Sequence, residues 1–263
     1  MSPLTEEAAE TQIRAAAGAL RLPAVRQEAG RLADEAARAQ LTHRAYLAEV
    51  LAQELDARDA RSRERRIAEA RFPRQKRLAD FDLSAVPSIN PASFAAICTL
   101  SFVTAGEPLV ALGDPGTGKT HLLIGLGLAA AESGMRVRYV TCAGLVNELA
   151  EAADERVLSR VVARYGRYDL LCVDELGYVH LDPRGAELLF QVLTEREERS
   201  SVAAASNAPF SEWGRTFSDP RLAAAVVDRM TFRAHILETG TASYRLRSTR
   251  AAKAAARADT ERR

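Results

Sequence analysis

Gly113, Asp114, Pro115, Gly116, Thr117, Gly118, Lys119 and Thr120 spell G-x-x-x-x-G-K-T, and this stretch constrains the chain more than any other. The apolar run of residues 108–112 precedes it and reads as a buried strand. Residues 121–126, beginning at His121, read as the start of a helix. Strand, glycine loop and helix in that order form a phosphate-binding turn. The glycines let backbone N–H groups converge on a polyphosphate, and the helix N-terminus adds its positive end. Lys119 is placed to reach the β- and γ-phosphates, and the Thr120 hydroxyl to hold Mg²⁺.

Downstream, residues 169–175 form an apolar run that ends in Asp174 and Glu175. Beside a phosphate loop, Asp174 is the expected partner of the Mg²⁺ shell. Glu175 is the expected base for an attacking water. This adjacent acidic pair points to ATP hydrolysis by activated water rather than phosphoryl transfer to another substrate.

The 263 residues leave room for one medium domain and an extension, and 47% hydrophobic content is ample for a core. No apolar run approaches a membrane span, and the acidic, polar start is no signal peptide, so a cytoplasmic protein is expected. Cys98, Cys142 and Cys172 are far apart and read as reduced thiols. His43, His121, His180 and His235 lack metal-ligand spacing.

The net charge of +1 hides four blocks. Residues 1–57 carry −3, residues 58–77 carry +6, residues 78–243 carry −7 and residues 244–263 carry +5. The first basic block is either a solvated helix laced with Glu64 and Glu69 or a surface for nucleic-acid phosphates. Charge alone would give affinity without sequence specificity.

Three helices are expected in residues 1–77. One carries Ile13, Ala17 and Leu20. One opens at Pro23. The third is capped by Thr42, with Tyr46, Leu47, Val50, Leu51 and Leu55 as its apolar face. Residues 78–250 alternate strands with helices, including a single long helix over 143–165. They imply an α/β fold with a parallel five-stranded sheet whose carboxyl ends carry the site. A further short strand is possible at 243–246. Residues 251–263 form a basic tail without a packing face.

Residues 113–121, 171–177, 185–191, 206–214 and 243–247 carry a resemblance. The stretch Ser206, Asn207, Ala208, Pro209, Phe210, Ser211, Glu212, Trp213, Gly214 is its most specific part. The chain resembles the IstB family, AAA+ ATPases that assist insertion-sequence transposases and are relatives of the helicase loader DnaC. The likeness runs from about Leu20 to Arg247. It implies a P-loop AAA+ core with no C-terminal lid domain, ATP and Mg²⁺ as cofactors, and assembly of copies on double-stranded DNA beside a transposase.

The resemblance also implies site roles. The loop residues Gly113 to Thr120 and His121 bind nucleotide. Asn207 stands at the sensor-1 position and Arg229 at that of an arginine finger. Arg245 is a sensor-2 candidate. From the residues alone, Asn207 is equally a strand-end turn, and Arg229 a salt-bridge partner of Asp228 or Asp219. Asp114 departs from the proline common in the family. A helicase loader and a nucleotide-gated DNA scaffold are the two other functions this sequence admits.

Overall fold

The computed structural model describes residues 5–178, 180–217 and 219–244, in two compact units that divide between Arg65 and Arg66. In the first unit, α1 (Glu6–Ala19), α2 (Pro23–Arg38) and the larger part of α3 (His43–Ala70) pack together. Thr42 Oγ1 accepts from Ala45 N–H at 3.2 Å, the expected cap. Only part of the expected apolar face of α3 is buried. Tyr46 and Val50 pack on Ala29 and Leu32 of α2, whereas Leu47, Leu51 and Leu55 are about half exposed or more. Ile13 and Leu20 of α1 also face outward, and only Ala17 of that stripe is buried.

The next residue on the buried stripe is Glu54, which caps α2 from a distance. Nothing local caps that helix, because Leu22 stands at its N-cap. Glu54 Oε2 instead accepts the N–H groups of Ala24 at 2.8 Å and Val25 at 3.2 Å, and Arg61 donates to Oε1 at 3.1 Å. Burial pushes this carboxyl up, but the Val25 and Ala24 N–H groups and the Arg61 guanidinium outweigh it and hold it below its usual range.

The second unit begins earlier than residue 78 because Ile67, Ala70, Phe72 and Leu78 belong to its core. It holds a five-stranded sheet in the order β2-β3-β4-β1-β5, with every neighbouring pair parallel. The strands are β1 (Leu109–Leu112), β2 (Val137–Thr141), β3 (Leu170–Leu176), β4 (Ser201–Ser206) and β5 (His235–Glu238). Strand alternation divides the core between two faces. Leu109, Cys172, Ala203 and Ala205 pack toward α4 (Pro91–Cys98), α5 (Ser101–Thr104) and α6 (Lys119–Glu132). Val110, Leu171, Val173 and Ala204 pack toward α7 (Cys142–Asp154), α8 (Leu158–Gly166), α9 (Pro183–Arg196) and α11 (Pro220–Thr231). The short α10 (Trp213–Thr216) buries Trp213 in that second layer.

The single helix expected over 143–165 is two helices. Arg156 at φ +60 breaks it, and α8 restarts after Val157. The possible strand at 243–246 lies partly outside the described residues. The tail 251–263 lies wholly outside. The three cysteines are free thiols, and burial pushes that of Cys142 up to about 12. No helix among the described residues is long and apolar enough to cross a membrane.

Glu54→Ala leaves two half-buried N–H groups and the Arg61 guanidinium without their acceptor. A loss of roughly 2–3 kcal/mol from the first unit is expected, read as faster amide exchange at Ala24 and Val25. In the wild-type chain the folded pKa lies below the unfolded value of about 4.3. This stabilisation is therefore complete above that pH and is lost as pH falls through the folded value.

Candidate nucleotide site

The sheet order brings the carboxyl ends of β3, β4 and β1 side by side, and the candidate residues lie at or just beyond them. β1 ends at Leu112 and the chain turns through Gly113, Gly116 and Gly118, all at positive φ, into α6 at Lys119. Thr120 follows in the first turn of α6, exposed. Gly113 has no room for a side chain. A Cβ there would stand 2.4 Å from Thr239 Oγ1 and 2.8 Å from the Gly240 carbonyl.

The segment after β5 straps this turn. Asp114 N–H donates to Gly240 O at 3.0 Å, and Tyr244 N–H donates to Gly116 O at 3.0 Å. Thr239 Oγ1 lies 2.6 Å from Thr117 Oγ1 and donates to Leu112 O at 3.0 Å. Lys119 folds back along its own loop, donating from Nζ to Gly113 O at 2.6 Å and Asp114 O at 2.8 Å. Burial pushes its ammonium down, against the charges of Asp174 and Asp114. The cation is thus buried on neutral carbonyls.

Asp174 is buried at the end of β3 with both oxygens engaged. Oδ1 accepts Glu175 N–H at 2.9 Å and Oδ2 accepts the Tyr139 hydroxyl at 2.7 Å. Burial and then the Asp174 contact push the Tyr139 hydroxyl well above its usual range, which keeps it a donor. Glu175 is the exception in the strand. It sits at φ +60, where the register with β4 shifts between Val173 and Leu176, and its side chain is exposed. A non-glycine residue in that conformation within a strand is strained. The bulge leaves the side chain exposed among buried strand neighbours. Asn207, half-buried, follows β4, the strand between β1 and β3, and so stands between the phosphate loop and the acidic pair.

His121 does not face that space with its ring. Its Nε2 lies 2.8 Å from the Arg77 carbonyl, and the ring meets Phe81 edge-on at 5.5 Å. Phe81 in turn stacks on Phe94 and lies against Gly118, where a Cβ would meet its ring at 2.9 Å. Phe81, Thr239 and Tyr139 were not among the sequence candidates. Each lies in a segment whose pattern says only linker, turn or strand. Arg245 lies outside the described residues.

Arg229 is not gathered with the others. It lies at the end of α11, just before β5 begins, and therefore at the amino ends of the strands. Its partner is neither Asp228 nor Asp219. Nε donates to Glu197 Oε2 at 2.8 Å, and the guanidinium lies 4.1 Å over the Phe190 ring. A cavity of about 200 Å³ opens there, lined by Glu107, Arg196, Glu197, Arg229 and Arg233 among others. The glycine turn and the acidic pair lie at the other end of the sheet. Among the described residues no three His, Cys, Asp or Glu side chains gather as metal ligands. A cation beside this loop would rest on Asp174, Thr120 and the phosphates themselves, as Mg²⁺ commonly does.

The IstB-like ATP binding protein family matches residues 15–252 of this sequence. The chain belongs to that family. An insertion sequence ATP-binding protein of Sinorhizobium fredii is 37% identical over 235 residues, covering 89% of this chain and 79% of that one. The ATP-binding protein of insertion sequence IS21 from Pseudomonas aeruginosa is 36% identical over 84% of this chain and 83% of its own. Among solved structures, DnaI superposes with a TM-score of 0.51 at 21% identity, over 62% of this chain and 90% of that one. The replication initiator DnaA bound to AMPPCP and single-stranded DNA superposes at 0.50 and 19%, over 64% and 50%. At such identities these likenesses establish the fold. This IstB-like chain is an ATP-binding ATPase with an AAA+ P-loop core.

Gly113→Ala is expected to abolish binding of a fluorescent ATP analogue and to lower the melting temperature, because the strap formed by Thr239 and Gly240 must move. Gly214→Ala, where nothing lies within 4 Å of the new Cβ, is expected to leave both unchanged.

Proposed function

We propose that this IstB-like ATPase serves DNA transposition: it binds ATP with Mg²⁺, assembles with copies of itself on double-stranded DNA and stimulates a transposase. The observation that carries this reading is Glu175, held at φ +60 beside a buried Asp174 and a complete phosphate loop, in a chain whose relatives are insertion sequence ATP-binding proteins. Such strain is retained where the surroundings enforce it, and a water-activating base is a reason to enforce it.

In this mechanism the loop N–H groups and Lys119 neutralise the phosphates, and Lys119 leaves the carbonyls of Gly113 and Asp114 to do so. Thr120 and Asp174 would hold Mg²⁺, which would supply charge screening on the phosphates. Glu175 takes the proton of the attacking water, and Asn207 orients that water from between the two motifs. Arg229 stands at the amino ends of the strands and cannot serve its own loop without refolding α11. It serves the γ-phosphate of a neighbouring copy, releasing Glu197 and Phe190 as it does so. An arginine so delivered is worth on the order of 10³–10⁵ in rate.

The basic block of residues 58–77 supplies DNA phosphate contacts, with some of its charge already committed. Arg58 and Arg61 face Glu54, Arg66 donates to the Ala131 carbonyl and Arg77 pairs with Glu132. The block's net charge of +6, enough to neutralise about five phosphates, sets the scale of the salt dependence. The helicase-loader alternative rests on fold likeness alone, and the strained Glu175 speaks against a scaffold with incidental hydrolysis.

Glu175→Gln is expected to bind ATP normally, to hydrolyse it about 10²–10⁴-fold more slowly, and to remain assembled on DNA. Normal phosphate release would place the base elsewhere. DNA affinity is expected to fall with salt at a log–log slope of about −4 to −5, alike for unrelated sequences. A salt-insensitive or sequence-restricted affinity would contradict the phosphate-contact reading.

A further inference from the structure

We infer that Tyr139 is the positioning residue for Asp174, holding the carboxylate in the orientation that a divalent cation requires. The inference rests on the reading of Asp174 as the cation's protein ligand.

Tyr139 lies at the middle of β2, level with Cys172 of β3, and Asp174 is level with Thr141. The tyrosine therefore reaches along the sheet by two residues to bring its hydroxyl 2.7 Å from Asp174 Oδ2. Its ring is buried in the layer that packs against α6, beside Phe72 at 6.1 Å. The apolar body is core and the polar tip belongs to the site. A buried tyrosine needs an acceptor, and a strand carbonyl would satisfy it. Here the acceptor is instead the carboxylate that ends the neighbouring strand.

Asp174 is then fixed at both oxygens by groups that report on the site. Glu175 N–H holds Oδ1, so the residue that bears the base also orients the metal ligand. Tyr139 holds Oδ2. A carboxylate oxygen has two lone pairs, and each of these contacts uses one, which leaves one on each oxygen for the cation or its water. Partners behind a metal ligand fix its rotamer, and their removal commonly costs about 10–100-fold in metal affinity. Phenylalanine at 139 would fill the same space in the core. It would leave Oδ2 of a buried carboxylate short of its donor, free to turn toward Lys119, whose charge acts on it.

The test uses the full chain saturated with ADP, and Mn²⁺ titrated as the probe by electron paramagnetic resonance. Three proteins are compared: wild type, Tyr139→Phe and Asp174→Asn. Tyr139→Phe is expected to weaken Mn²⁺ binding about tenfold while ADP affinity without metal stays at the wild-type value and the melting temperature falls by no more than a few degrees. Asp174→Asn is expected to lose nucleotide-dependent Mn²⁺ binding. If Asp174→Asn loses the metal and Tyr139→Phe binds it like wild type, the positioning role of Tyr139 is overturned. If Tyr139→Phe loses metal-free ADP binding and melting temperature together, Tyr139 is a core residue and the inference fails. If Asp174→Asn itself binds Mn²⁺ like wild type, the fault lies with the reading of Asp174, not with Tyr139.

Discussion

The ATPase unit depends on one turn, the passage from β1 into α6 through three glycines at positive φ. Its backbone cannot be made by other residues at Gly113, where Thr239 and Gly240 fill the place of a side chain. Because the turn packs this closely, the ends of β1 and β5 and the start of α6 are fixed relative to one another. Lys119 completes the lock by donating to the loop's own carbonyls. Those bonds keep a buried ammonium satisfied without nucleotide, and phosphate oxygens can replace them at little cost in reorganisation. The parallel sheet does the rest. With β4 lying between β1 and β3, the loop, Asn207 and the pair Asp174 and Glu175 come to one edge without any long loop to carry them.

That edge offers the Lys119 ammonium and the Glu175 carboxylate, but the second candidate cation is elsewhere. Arg229 is held at the far end of the strands by Glu197 and Phe190. The separation gives physical content to the proposed dependence on assembly. A lone copy has its phosphate loop at one end and its extra arginine at the other. Two copies docked edge to edge could bring one of each together. The pairing of Arg229 with Glu197 keeps the guanidinium from standing unpaired until then.

Much of this was legible in the sequence, for identifiable reasons. The loop and the acidic pair are visible because phosphate binding and water activation demand particular residues at fixed spacing. The three inner strands β1, β3 and β4 are visible because strands buried on both faces read as short apolar runs. What stayed hidden was set by contacts across the chain. Two stripes run along α3, offset by one residue. The expected apolar face took in residues of both, yet only the stripe through Tyr46, Val50 and Glu54 is buried. A glutamate is needed there because α2 begins without a cap of its own. The break at Arg156 carries no glycine or proline to announce it. Tyr139 reads as one more strand residue, and only the sheet register shows its hydroxyl on Asp174.

The central claim is that hydrolysis is completed by two copies, one giving the loop and base, the other giving Arg229. Mixing two defective proteins tests it most directly. Arg229→Ala keeps an intact loop and base, and Glu175→Gln keeps an intact arginine. Each alone is expected to be nearly inactive on DNA, and mixtures are expected to recover ATP hydrolysis, with the maximum near equal proportions. Mixtures shown to co-assemble that recover nothing at any ratio would contradict the account, and Arg229 would then act only within its own fold.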